Sequence, residues 1–166
     1  MEYFISDFHI GDANILTYEH RPFNSLHSMK ETIITNIQKT VTPCDTLYIL
    51  GDLGNTSILD EIPGKIIVVC GNHDNYEEIK NTHPDIYVSK YPIMIDNMWL
   101  SHAPIGYVPP ECPYINIHGH LHRFQYGLIG RNWEEGNRYF NVSVENINYT
   151  PISKDEIIEK IKYKKV

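Results

Sequence analysis

Cysteine is scarce in this chain. Only Cys44, Cys70 and Cys112 occur among 166 residues, an odd number with no regular spacing and no Cys-x-x-Cys pair. That excludes a disulfide framework and predicts buried or free thiols in a reducing compartment. Long apolar runs are missing too. None approaches the roughly 20 residues of a membrane span, and the chain opens on Tyr3-Phe4-Ile5 and a polar motif rather than on a signal-peptide pattern. The expectation is a soluble cytoplasmic protein with no membrane partner. Basic residues are outnumbered, 14 Lys and Arg against 21 Asp and Glu, for a net charge of -7. This speaks against a broad electrostatic surface for nucleic acid or anionic lipid, although bound cations would make one patch locally positive. Repeats, low-complexity tracts and linkers are also absent. The length suits one domain spanning residues 1–166, large enough to bury a core without staples.

What the chain does have is ordinary globular composition, 42% apolar and 21% charged, and one recurring event. An apolar run ends and a metal-friendly residue comes at once. Tyr3-Phe4-Ile5 leads into Ser6-Asp7-Phe8-His9, and Leu47-Tyr48-Ile49-Leu50 into Gly51-Asp52. Ile66-Ile67-Val68-Val69-Cys70 leads into Gly71-Asn72-His73-Asp74, and Met98-Trp99-Leu100 into Ser101-His102. Tyr114-Ile115-Asn116-Ile117 leads into His118-Gly119-His120-Leu121-His122. Short β-branched runs bounded by Gly, Asp or Asn read as buried strands. Ligands gather beyond the carboxyl ends of such strands, so five strand ends could converge on one site.

Between the runs, Leu26, Met29, Ile33, Ile37 and Val41 keep close to a 3.6 period and predict a helix over 26–41. A second helix is expected after Asn75. A third is announced by Ser153 and Glu156, the two ends of a capping box. Tyr91 to Leu100, centred on Asp96-Asn97, reads as a hairpin, and Arg138 to Val144 as a late strand. Strands outnumber helices in the second half, which points to mixed sheets. Pro104, Pro109, Pro110 and Pro113 exclude regular structure over 103–117. That stretch reads either as a wall of the site or as an inert surface loop.

His and Asp suit divalent transition metals, and Asn can add a carbonyl oxygen. Asp7-x-His9 and His120-x-His122 would each place two side chains on one side of an extended chain, where side chains alternate. Each motif is weak alone. The ordered set D-x-H, G-D, G-N-H-D, S-H and G-H-x-H, always at the end of an apolar run, is very specific.

At these residues the sequence resembles the calcineurin-like metallophosphoesterase superfamily, and its small prokaryotic and phage members most closely. Asn14, Ile15, Tyr18 and Arg21-Pro22-Phe23 match a stretch that some of those members share, as does the Asn141-Val142-Ser143-Val144 segment. The resemblance implies an α/β fold, a four-layer α-β-β-α sandwich of two mixed sheets packed face to face and flanked by helices. It implies a cytoplasmic enzyme of a bacterium or a phage-infected host cell. It also implies two divalent ions. Asp7, His9, Asp52 and His122 would hold the first, and Asp52, Asn72, His102 and His120 the second. The carboxylate of Asp52 would bridge ions roughly 3.5–4 Å apart. A mixed N/O shell without thiolate is compatible with Mn2+, the favoured metal, and with Fe, Zn2+ or Ni2+.

The implied activity is hydrolysis of a phosphate ester by in-line attack of a bridging hydroxide, with a phosphodiester favoured over a monoester. The expected substrate is a phosphate ester, with nucleotides and cyclic nucleotides among the candidates. His73 would serve the leaving group as a catalytic residue, and Asp74 would orient its ring. Arg21 is expected to contact substrate phosphate, because a guanidinium fork matches phosphate oxygens, and Arg123 is a weaker second. His118 is expected to be structural or to support a ligand, and His20, His27 and His83 to lie at the surface. One departure stands out: Asp12 occupies a position where the small members often carry a third His. No Cys-x5-Arg motif offers a phosphoenzyme route. A non-catalytic module on the same fold is the rival reading, and retention of every ligand opposes it.

Overall fold

The computed structural model describes residues 1–106, 108, 113–124 and 138–163. Strand β1 (Glu2–Ile5) is followed by a short helix α1 (Asn14–Tyr18) and the long helix α2 (Leu26–Thr40). Then come β2 (Thr46–Ile49), a 3-10 helix (Thr56–Glu61), β3 (Lys65–Val69), α3 (Tyr76–Thr82) and β4 (Tyr87–Ser89). The second half holds β5 (Ile93–Ile95), β6 (Met98–Ser101), β7 (Ile115–His118), β8 (Tyr139–Asn141), β9 (Ile152–Ser153) and α4 (Lys154–Tyr163).

The strands form two mixed sheets, ordered β4-β3-β2-β1-β9 and β5-β6-β7-β8. In the first, β1 to β4 run parallel and β9 returns antiparallel beside β1. In the second, the expected hairpin forms between β5 and β6, and β7 and β8 continue in parallel; the exclusion of regular structure over 103–117 is corrected, since pairing in β7 begins at Ile115, just past Pro113. The apolar runs of β1 to β3 are continuous because both faces are covered. Tyr3, Ile5, Leu47, Ile49, Ile66 and Val68 share a cluster with Met29, Ile33 and Ile37 of α2 and Ile79 of α3. The alternate residues Phe4, Tyr48, Leu50 and Val69 meet Met98, Leu100, Ile117 and Phe140 of the second sheet. Period-two alternation thus sends each strand's side chains into two separate cores. Helix α4 takes its own position, with Ile157 and Ile161 inside the inter-sheet cluster and contacts to β1 and β9.

Caps fall where side-chain chemistry puts them. Ser25 accepts from the backbone of Ser28 at the start of α2, Asn75 from that of Glu78 at the start of α3, and Ser153 pairs with Glu156 at α4. The late strand is shorter than expected. After Asn141 the chain leaves the second sheet and bridges to the first, with Ser143 opposite Ser6. His20 and His27 are not buried, as expected, and His83 is half-buried, with Nε2 3.3 Å from Asp60. Pro109, Pro110, Cys112, Lys164 and Lys165 lie outside the described residues. None of the described helices is long and apolar enough to cross a membrane.

Candidate metal centre

The loops after β1 and β2 keep pairing beyond the sheet. The Asp7 amide donates to Gly51 O and the His9 amide to Asp52 O, both at 2.9 Å. The Gly119 amide donates to His102 O, tying the loops after β6 and β7. Ser6 N donates to Val142 O, and Val142 N to His118 O, so β1 and β7 are joined across the two sheets. The loop after β3 joins them through the His73 amide, which donates to Asp52 Oδ1, so the five run ends meet at one end of the sandwich.

Side chains enter this space through an unexpected backbone. Asp7 (φ 62°), His9 (φ 51°), Asp52 (φ 56°), His120 (φ 67°) and His122 (φ 48°) are all left-handed. The extended D-x-H and H-x-H expected from the spacing is therefore corrected. The strands end before these residues, and each pair converges through two left-handed kinks. Asp and His tolerate this region better than most side chains, and such strain gathers at functional sites. Two glycines make the approach close enough. A methyl on Gly71 would collide with the Asp52 carboxylate, and one on Gly119 with the Asp7 carboxylate and the Ser6 hydroxyl.

Two groups of potential ligand atoms result. Asp7, His9 and His122 form one, and Asp52, His102 and His120 the other, each with its atoms within 4.8 Å of one another. Asp52 reaches both, its Oδ2 lying 3.4 Å from His9 Nε2 and 3.3 Å from His102 Nε2. His102 sets its ring by pairing Nδ1 with Leu50 O at 2.8 Å, which leaves Nε2 facing Asn72 Oδ1 at 2.9 Å and His120 Nδ1 at 3.1 Å. His9 Nε2 is buried with no hydrogen-bond partner. Lone pairs aimed at lone pairs, beside an orphaned buried nitrogen, are satisfied by cations in the shared space. The donors fit the divalent ions that the residue types suggested.

The charges agree. Burial pushes the Asp52 carboxyl up, but the contact with His102, the His73 amide and the nearby His9 outweigh it and hold its pKa at about 2. Burial holds His9 below the ordinary imidazole value. On His102 burial also lowers the pKa, yet the bond to Asp52 and the field of Asp7 leave it raised.

Residues 3–164 match the profile described as Calcineurin-like phosphoesterase. The chain belongs to that family. Over 175 aligned residues it is 34% identical to uncharacterized protein MJ1445 of Methanocaldococcus jannaschii, covering 99% of this chain and 93% of that protein. A crystal structure of a protein of unknown function, AQ665 of Aquifex aeolicus, superposes with a TM-score of 0.75 at 29% identity, covering 96% of this chain and 98% of that one. For this calcineurin-like phosphoesterase, family membership brings metal-dependent hydrolysis of phosphate esters as the general chemistry, and the two Asp and His groups are where divalent metal can sit.

Other residues differ from expectation. Arg21 is buried, 4% exposed, far from the role of a phosphate clamp. Its Nη1 donates to Phe8 O at 2.8 Å, its Nη2 to Asp7 O at 2.6 Å, and its Nε to Glu145 Oε1 at 2.8 Å. The fork is spent on backbone and on one carboxylate, so the expected substrate contact is corrected. Asp74 does not orient the His73 ring either. Its Oδ2 accepts from the Asp52 and Gly71 amides and its Oδ1 from the Leu53 amide, at 2.8–2.9 Å. It is a backbone clamp beneath Asp52. His73 is exposed; its amide donates to Asp52 Oδ1 at 3.0 Å, and its ring stands edge-on to His9 at 5.3 Å.

Arg123 is exposed and donates to His20 O. Asp12 accepts from the Asn14 amide, a local turn contact at the start of α1. His118 is fully buried, with Nδ1 2.8 Å from Gly119 O, and burial lowers its pKa to about 4. It is structural. Sequence reasoning misses Glu145, which lies 3.1 Å from His122 Nδ1. The one signal for it is an acid directly after the Asn141–Val144 segment.

Proposed function

We propose that the chain is a dinuclear phosphoesterase that favours phosphodiesters and uses Mn2+ best. Asp7, His9, Asp52 and His122 would hold one ion, and Asp52, Asn72, His102 and His120 the other. The observation that carries the dinuclear reading is Asp52, one carboxylate within 3.4 Å of a ring nitrogen from each side. When bound, the two ions supply a nucleophile at neutral pH and offset charge on the phosphoryl oxygens.

The chain's own residues do the rest. Asp74 and Gly71 fix the loop that presents Asp52 and Asn72. His73, which is exposed, would donate a proton to the departing oxygen. The diester preference rests on the supply of cationic side chains. A monoester carries nearly two charges near pH 7 and is ordinarily gripped by several of them. Here Arg21 is buried against Glu145, and of the two arginines near the motifs only Arg123 is exposed. A diester carries a single charge and asks for less. Nucleotide diesters and cyclic nucleotides are natural compounds of that class. The free thiols of Cys44 and Cys70 suit a reducing cytoplasm.

The test is to strip the protein with chelator, restore Mn2+, and count ions while comparing model substrates. Two ions per chain are expected, with a higher kcat/KM for bis-p-nitrophenyl phosphate than for p-nitrophenyl phosphate. The opposite ranking, kept across Mn2+, Zn2+ and Ni2+, would make the protein a monoesterase.

A further inference from the structure

Beneath His122 lies a brace that the ligand set does not include. Its ring nitrogen Nδ1 sits 3.1 Å from Glu145 Oε1, and the same oxygen receives Arg21 Nη2 at 2.6 Å and Nε at 2.8 Å. Both charged side chains are sealed, Arg21 at 0% and Glu145 at 2% side-chain exposure. Arg21 also grips the carbonyls of Asp7 and Phe8. Four segments are thus closed into one circuit: the Asp7 loop, the turn after α1, the His122 loop after β7, and the chain beyond β8.

We infer that Glu145 is a positioning residue for the first metal group, acting through the ring of His122 with Arg21 as its anchor. The inference rests on the dinuclear reading above. A carboxylate only accepts hydrogen bonds, so His122 Nδ1 must carry the proton. The lone pair is then left on Nε2, the one ring atom able to ligate. Without Glu145 the imidazole could turn about its last torsion or exchange its tautomer, and a ligand on a left-handed loop residue would lose its aim. Arg21 adds a second effect. By holding Glu145 and the Asp7 backbone with one rigid fork, it sets the distance between two ligands of the same ion.

The carboxylate belongs to this brace and not to a further cation site. Glu19, His122 and Glu145 do lie within ligating range of one another, and Glu145 Oε2 is buried without a hydrogen-bond partner, but the guanidinium already neutralises the carboxylate at contact distance through Oε1.

The experiment is calorimetric titration of metal-free protein with Mn2+. Wild type should bind two ions, and Glu145→Gln should bind one of them about 10–100-fold more weakly while the other keeps its affinity. A purely structural ion pair would lower thermal stability and leave both affinities unchanged; that result overturns the inference and spares the dinuclear reading. A wild type that takes up fewer than two ions overturns both. Because Glu145→Gln leaves Arg21 buried without its partner and could prevent folding, a second measurement uses wild type alone. Long-range 15N–1H spectra of the Zn2+-loaded protein should show His122 protonated at Nδ1. A proton on Nε2 would overturn the inference without any variant.

Discussion

Replacing Asp74 by Asn separates two roles that one motif would otherwise confuse. The carboxylate holds three backbone amides, those of Asp52, Leu53 and Gly71, at 2.8–2.9 Å. Hydrogen bonds to a charged group contribute about 1.5–3 kcal/mol each, and the lower end applies because the side chain is only half-buried. An Asn keeps one oxygen. Turned to its best orientation, that oxygen meets the Asp52 and Gly71 amides without charge assistance. Its NH2 group then faces the Leu53 amide, donor against donor. The loss sums to about 3 kcal/mol, or roughly 6–12 °C in Tm for a domain of this size.

Urea and thermal unfolding of Asp74→Asn in chelator should show this loss, and Mn2+ affinity should fall because Asp52 is no longer held. Turnover should fall by the same factor for alkyl and nitrophenolate leaving groups. Stability within about 0.5 kcal/mol of wild type would refute the clamp. So would a rate loss confined to poor leaving groups, since that would place Asp74 behind His73.

His73→Ala should keep both ions and lower turnover about 10²–10⁴-fold on a poor leaving group, with a smaller loss on nitrophenolate; equal losses would leave His73 no proton to give. Gly119→Ala meets no backbone strain, only the collision with Asp7 and Ser6, so it should lose the first ion and keep the second, as counted by elemental analysis; two tightly bound ions would contradict the packing. His118 is held neutral at a pKa of about 4 in the fold against about 6.5 when unfolded. The unfolded chain therefore binds its proton first as pH falls, and this group's stabilisation is full above pH 6.5 and lost from there down to about 4. Between about pH 7 and 5 the metal-free wild type should lose on the order of 2 kcal/mol more than His118→Gln, measured by urea unfolding.

Most strands and the candidate ligand positions are legible in the sequence because both are local patterns, whereas the short β4 and β9 carry no such run. Apolar runs such as Ile66–Val69 declare a strand by composition, and the polar residues closing each run declare the site by position. Helix α4 announces itself through its capping box and α2 through its period, while α1, whose N-cap Ala13 makes no side-chain bond, carries no such mark. Long-range and conformational features escape. Arg21 and Glu145 are 124 positions apart, and neither carries a mark that it will be buried against the other. The R-P-F stretch suggests a phosphate contact because an arginine near a phosphoesterase motif invites one. Asp74 misleads for a related reason: adjacency to His73 in sequence says nothing about which way a carboxylate turns in a tight loop. The left-handed turns at Asp7 and His120 are hidden as well, since a spacing of two residues fits an extended chain equally well.

Those turns bear on how such a site can decay. A ligand in left-handed backbone answers to two demands, the metal's and the loop's, and Asn or Gly meets the second as well as Asp or His does. A descendant that stopped hydrolysing esters could exchange Asp7, Asp52 or His122 for Asn or Gly and keep every loop in place, whereas Val or Ile there would distort the rim itself. Vestigial members of this lineage should therefore carry Asn and Gly at the old ligand positions, a fossil imprint of the metal preserved by the backbone, and a binding surface whose shape outlives its chemistry.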